Sequence, residues 1–169
     1  MSLKSKIALK KLSLTVQYPD PQLKEIVLRP QIRRWVRAAL LAPADFTIRF
    51  VNIEEGRTLN RDYRGKDYAT NVLTFSYTED ENAETTKADI ILCTDVLQHE
   101  AAEQNKSIQE HTVHLIVHGV LHAQGYDHEN DDEATEMEGL EIEILKALRW
   151  PNPYAENQNR KAGQHHVGG

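Results

Sequence analysis

The 169-residue sequence lacks a second cysteine and any long apolar run. Because Cys93 is the only cysteine, no internal disulfide can form, which suits a reducing compartment. No apolar stretch approaches the roughly 20 residues that a membrane helix needs. Residues 1–11 mix lysines with isolated apolar residues, so we expect no signal peptide. These absences predict a cytoplasmic protein of bacterial type without a membrane partner.

An excess of basic residues is also missing. The formal net charge of −6 argues at first against binding to nucleic acid. The charge is uneven, however, since nine acidic residues and no Lys or Arg lie between Asp127 and Glu143. The rest of the chain carries 17 acidic and 20 basic residues, a net charge of +3. A phosphate-binding face is therefore one interpretation of this charge distribution. A solvated acidic helix on a neutral body is the other.

Hydrophobic periodicity and turn residues predict the order of the secondary-structure elements. Alternating apolar residues predict four strands, at 12–18, 45–53, 72–77 and 89–93. Helical spacing predicts five helices, from about residue 31 after Pro30, and at 54–63, 94–104, 108–124 and 131–149. Thr94 or Asp95 is predicted to cap its helix, as is Ser107. Residues 78–87 are predicted to form a loop.

The order of these elements predicts the fold class. The hydrophobic and charged contents, 40% and 27%, are those of a globular protein. We expect a single domain over 1–155 of the α/β (α+β) class, in which a small mixed sheet of about four strands packs with helices. The segment 156–169 has almost no apolar residues and is predicted to be a disordered tail.

Four histidines lie on the predicted helix 108–124, at steps of three and four residues: His111, His114, His118 and His122. Such steps place them on one stripe of the helix. The rest of this helix is so apolar that it should be buried. Buried imidazoles need partners, because an unpaired ring nitrogen costs free energy.

The last two of these histidines and His128 are predicted to bind one metal ion. His118 and His122 lie one turn apart, and Gly125 ends the helix so that His128 can return to the same ion. Three neutral imidazoles leave a fourth tetrahedral position open, which is typical of catalytic zinc. The spacing thus predicts a metalloprotease-like zinc site on a central helix, with nickel or a similar ion as the alternative.

The remaining histidines are given other roles. The competing interpretation is that the three histidines are ordinary core residues with hydrogen-bonded rings. That interpretation suits a single histidine better than three at this spacing. His111 and His114 are predicted to support the site or the packing rather than to bind the metal. His99 is predicted to lie on the surface.

The histidine spacing is similar to the metzincin protease motif, His-Glu-x-x-His-x-x-Gly-x-x-His. One residue of that motif is missing here. Gly119 stands where those enzymes have the glutamate that acts as general base. Without it the site lacks a proton shuttle to a leaving amine. A phosphodiester instead needs charge stabilisation on its oxygens, which arginines and a metal supply. Gly119 therefore favours a phosphoester substrate, and a metallopeptidase or another metal hydrolase remains the alternative.

A second motif lies just before the strand at 72–77. Arg61, Arg64 and Lys66 cluster there, and Arg64 can offer a planar, bidentate fork to phosphate. By charge alone, a basic loop that neutralises nearby acidic residues is supported as well as a phosphate-binding cluster.

Together the two motifs, YRGKDYATNVLTF at 63–75 and HGVLHAQGYDH at 118–128, resemble the double signature of the YbeY-type endoribonucleases. The resemblance covers about residues 48–154. It implies a single-strand-specific, metal-dependent endoribonuclease that helps to form the 3′ end of 16S ribosomal RNA. It also implies a part in ribosome quality control, with ribosomal RNA and the small subunit and its proteins as partners. His118, His122 and His128 would bind the metal, usually zinc, and Arg64 would be important for activity.

The resulting hypothesis places zinc at the mouth of a cleft, where Arg64 steadies the phosphate charge. Asp127 would orient a histidine ring or take a proton, although capping of the turn explains it at least as well. The nucleophile, water or an RNA 2′-hydroxyl, stays open, as does the oligomeric state. A non-catalytic ribosome-associated factor with structural zinc is a further alternative. An extended RNA track is one interpretation of three arginines on the first helix, although a solvated face is slightly favoured: Arg33, Arg34 and Arg37.

Overall fold

The computed structural model describes residues 10–77 and 84–155, so the predicted tail at 156–169 lies outside the described residues. The described strands are β1 (Leu12–Gln17), β2 (Ala44–Val51), β3 (Val72–Ser76) and β4 (Thr86–Cys93). A 3-10 turn, Pro21–Leu23, follows β1. The described helices are α1 (Arg29–Ala38), α2 (Ile53–Arg64), α3 (Thr94–Glu103), α4 (Ile108–Ala123) and α5 (Asp131–Ala147).

The four strands form one mixed sheet in the order β1-β2-β4-β3. β1 and β4 each run parallel to β2, whereas β3 runs antiparallel to β4 at the edge. In the centre, Ile48 pairs with Ile90, and both side chains are fully buried. The predicted α/β class with a small mixed four-stranded sheet is confirmed.

Helix α4 packs against the sheet and against helices α1, α3 and α5. Its N-cap is Ser107, as predicted, because the Ser107 hydroxyl accepts a hydrogen bond from the backbone N–H of Glu110. The apolar side chains of α4 are buried on several sides of the helix, as the sequence indicated. None of the described helices combines the length and the apolar character that crossing a membrane requires.

Gly119 allows α4 to approach the sheet closely. A Cβ at this position would lie 2.9 Å from Cγ2 of Ile90 and 3.5 Å from Oγ1 of Thr74. Residues of β3 and β4 therefore occupy the space that a larger side chain at position 119 would need. The glutamate of the metzincin motif has no room here, which gives its absence a packing reason in addition to the chemical one.

Most element boundaries differ from the prediction by one or two residues, and two of the differences have a clear physical reason. Helix α1 begins at Arg29, so Pro30 lies inside its first turn rather than before the helix. Proline is tolerated there because the N–H that it lacks would have no intrahelical partner. Strand β4 begins at Thr86, within the predicted loop, because its first residues continue the parallel pairing with β2.

The predicted cap of α3 is also wrong. Cys93 is the N-cap, and both Thr94 and Asp95 belong to the first turn of the helix. Cys93 is the last residue of β4 and pairs with Val51, so the chain passes from strand to helix without a separate capping residue. Pairing across the sheet, rather than local capping preference, sets this boundary.

Replacement of Gly119 by alanine tests the close approach of α4 to the sheet. We expect Gly119→Ala to lower the free energy of unfolding by about 1–3 kcal/mol through overpacking, offset by up to ~1 kcal/mol of helix propensity. Urea unfolding measures the change. Gly139 on α5 is the control, because no atom lies within 4 Å of a Cβ built there. Gly139→Ala should stabilise slightly, and equal effects at both glycines would contradict the packing argument.

Candidate metal centre

Helix α4 and the turn after it bring the three predicted histidines together. His118 and His122 lie on α4, and Gly125, with a φ of 103°, turns the chain towards His128. The ring centroids of His118 and His122 are 6.4 Å apart, and those of His118 and His128 are 5.6 Å apart. His122 and His128 are 6.1 Å apart by the same measure. All three rings line one cavity of about 210 Å³.

The two helix histidines each direct Nδ1 to an acceptor inside the protein. His122 Nδ1 lies 2.8 Å from the backbone oxygen of Tyr126. His118 Nδ1 lies 2.9 Å from Oε1 of Glu141. A carbonyl or an ionised carboxylate only accepts, so Nδ1 donates in both rings, and a neutral imidazole held in this way presents the lone pair of Nε2. Metal-binding histidines commonly make such contacts, so the donor set fits a metal ion.

Glu141 is the fully buried carboxylate behind His118. The hydroxyl of Tyr154 donates to its Oε2 at 2.6 Å, and Nε2 of His114 lies 3.3 Å from its Oε1. Burial raises the pKa of Glu141, but hydrogen bonds from His114 and His118 outweigh that effect and lower it to about 2. The carboxylate is therefore ionised at neutral pH and holds the His118 ring in one orientation.

Glu141 is not among the site residues predicted from the sequence, although the pattern of α5 contains a signal for it. Met137, Glu141 and Leu145 are the buried residues of this helix and follow one another at steps of four. A glutamate in an otherwise apolar stripe must be paired, because an isolated buried charge costs much free energy. The stripe therefore predicts that Glu141 has a buried partner, but it does not identify that partner.

His111 and His114 are not among the residues that line the cavity of the three histidines. His111 Nε2 lies 2.9 Å from Oε1 of Glu100, which also accepts from the side-chain amide of Asn71 at 3.1 Å. The hydrogen bond from His111 lowers the pKa of Glu100. His114 contacts the carboxylate that also holds His118. Both positions agree with a supporting role.

The basic residues at the end of α2 divide into two groups. Arg64 and Lys66 line the cavity of the three histidines, and neither has a carboxylate partner among the described residues. Arg61, in contrast, pairs with Asp62 at 3.3 Å and does not line the cavity. The cavity therefore combines three imidazole rings with two cations that have no carboxylate partner in the described part of the chain. Three arginines of α1 are absent from its lining: Arg33, Arg34 and Arg37.

Asp127 lies next to the histidines but outside the cavity lining. One ligand atom from each of His122, Asp127 and His128 lies within 4.8 Å of the others. Oδ1 of Asp127 accepts a hydrogen bond of 2.7 Å from the backbone N–H of His128, and this bond lowers the pKa of Asp127. The contact is that of a turn cap, so the geometry favours capping over proton transfer.

Comparison with known proteins shows the family. Residues 17–149 match the model of the family described as "Endoribonuclease YbeY". A relative of that name from Janthinobacterium sp. (strain Marseille) is 72% identical over 144 residues, which cover 85% of this chain and 95% of the relative. The "Endoribonuclease YbeY" of Herminiimonas arsenicoxydans is 64% identical over 151 residues, which cover 86% of this chain and 97% of the relative.

A solved structure has a similar fold. The solution structure of TM1509 from Thermotoga maritima aligns with a TM-score of 0.51 and 22% identity, over 80% of this chain and 91% of that one. At this identity the likeness concerns the fold alone. The family match covers both motifs, the α2–β3 segment and the three histidines, and on these grounds the chain belongs to the YbeY endoribonuclease family.

Proposed function

We propose that this protein is a metal-dependent endoribonuclease that cleaves single-stranded RNA. The observation that carries the proposal is the cavity in which Arg64 and Lys66, which have no carboxylate partner within residues 10–77 and 84–155, lie beside three histidines. The names of the relatives support the reaction class. The proposed setting is the cytoplasm, where the protein would act in 16S ribosomal RNA 3′-end maturation and ribosome quality control on the small subunit.

The metal would be held by His118, His122 and His128. Two of these rings have Nδ1 committed to internal acceptors, which leaves Nε2 for the metal. Imidazole suits zinc, the ion that we propose, and also nickel. A bound zinc ion would supply Lewis-acid stabilisation of the phosphate and activation of a water molecule.

The phosphate would be bound by the cations of the α2–β3 segment. Arg64 can donate two parallel hydrogen bonds to phosphate oxygens, whereas Lys66 acts as a point charge. The loop that carries Lys66 is held in place by Asn60, a buried residue of α2 whose side-chain amide donates to the backbone oxygen of Tyr68 at 2.7 Å. This support keeps the cations oriented towards the cavity before substrate arrives.

A structural metal site is the second candidate, and the position of Asp127 favours it. A fourth ligand from Asp127 would close the coordination sphere and leave no open position. X-ray absorption spectroscopy of the zinc-loaded protein distinguishes the two candidates. Three histidines plus water support a catalytic site, whereas a carboxylate oxygen without water supports the structural one. A metallopeptidase is disfavoured, because α4 has no room for a glutamate at position 119.

Alanine substitutions separate metal binding from phosphate binding. His118→Ala should lose both the bound metal and RNA cleavage. Arg64→Ala should keep the metal and lower kcat about 10²–10³-fold, the usual effect of removing one group that stabilises developing charge. Arg61→Ala is the matched control, because Arg61 pairs with Asp62 outside the cavity, and it should cleave nearly as the wild type does. Cleavage by a metal-free His118→Ala protein would refute the proposed function.

Replacement of Glu141 tests its hold on His118. Glu141→Gln keeps the size of the side chain but removes the charge that holds the ring. We expect metal affinity to fall about 10–100-fold, as for other residues that orient a metal ligand, when measured by competition with a chelator. Glu143→Gln, on an exposed position of the same helix, should leave affinity unchanged. Circular dichroism checks folding, and a folded Glu141→Gln protein of normal affinity would contradict the assigned role.

A further inference from the structure

Three exposed tyrosines surround Arg64. Among the described residues, the large aromatic side chains that are exposed are Tyr63, Tyr68 and Tyr77, with 70%, 55% and 55% of their surface accessible. Tyr68 lines the cavity of the histidines, and Tyr63 and Tyr77 line a second cavity beside it. Both cavities include Arg64. Exposed aromatic surface concentrated at one place marks a binding site more often than scattered apolar residues do.

The second cavity lies on the opposite side of the edge strand β3. Its volume is about 720 Å³, within the roughly 300–1,000 Å³ of small-ligand sites. Leu59, Phe75 and Ile91 give it apolar lining, and the rings of Tyr63 and Phe75 lie 5.2 Å apart at 61°. Arg64 and Thr74 line both cavities, so the two form one continuous surface across β3.

The charges of the second cavity are mostly paired. Arg49 lies 2.9 Å from Glu55, and the hydroxyl of Tyr77 donates to Oδ2 of Asp89 at 2.8 Å. Arg64, for which the described residues offer no carboxylate partner, lies where this cavity meets the histidines. A nucleotide has the same arrangement of properties, since a flat and uncharged base is joined to an anionic phosphate.

We propose that this cavity binds one unpaired base of the RNA, with Tyr63 and Tyr77 as stacking partners, while Arg64 holds the adjoining phosphate. The inference rests on the proposed function and names a subsite of it. Base stacking on aromatic side chains contributes substantially to single-strand binding and tolerates different bases, because every base has a π-face. Only an unpaired base is free to turn out of its stack and enter such a cavity. The cavity thus supplies a physical reason for single-strand specificity.

An RNA-binding measurement on the full-length, zinc-loaded protein tests this inference. The ligand is a short RNA with 2′-O-methyl riboses and phosphorothioate linkages, and fluorescence anisotropy measures its binding. Tyr63→Ala and Tyr77→Ala should each weaken binding about tenfold or more, as for other stacking residues. Tyr63→Phe should bind as the wild type does, because the ring remains. Leu41→Ala is the control, since Leu41 is 47% exposed but lines neither cavity.

An abasic scan of the same RNA sharpens the test. Removal of one base at a particular position should weaken binding to the wild type, and that sensitivity should disappear in Tyr63→Ala, because coupled partners are not additive. Tyrosine variants that bind like the wild type, or that keep full sensitivity to the abasic position, would overturn the base subsite while the proposed function stands. A wild type that neither binds nor cleaves RNA would overturn the proposed function itself.

Discussion

The hydrogen bond between the buried carboxylate of Glu141 and the His118 ring is the contact on which the rest of the site depends. A fully buried carboxylate is costly unless its oxygens are hydrogen-bonded. Here one oxygen accepts from His118 and the other from Tyr154. The contacts join α5 and the segment after it to α4. The position of one candidate metal ligand is therefore tied to the packing of the C-terminal part of the described chain.

The other side of the site is supported independently. Gly119 lets α4 lie close against β3 and β4, and His118 and His122 of α4 share one cavity with residues of the loop before β3. That loop is held by Asn60, and its end by Asn71, which donates to Glu100. The candidate metal ligands and the cations proposed to bind phosphate thus come from separate elements with separate supports. A change in one support should leave the other group in place, which is why the two functions can be separated by substitution.

The sequence predicts these two halves unequally. The spacing of His118 and His122 is fixed by the geometry of a single helix, so local sequence determines it. The contact of His118 with Glu141 spans 23 residues and depends on how α5 packs, which a periodic pattern does not specify. Likewise, charge alone does not distinguish Arg64 from Arg61, and only the orientation of each side chain shows which one has a carboxylate partner.

The edge position of β3 connects the fold to the choice of substrate. An edge strand has neighbours on one side only, so its two faces meet at an open margin instead of being separated by another strand. The cavity of the histidines lies on the α4 face, the tyrosine-lined cavity on the α2 face, and Arg64 at the margin that joins them. A flexible single strand can cross that margin and place its phosphate and a base on opposite faces. A stiff duplex cannot, because its bases are held inside the helix. Under this arrangement, sheet order itself selects for single-stranded RNA.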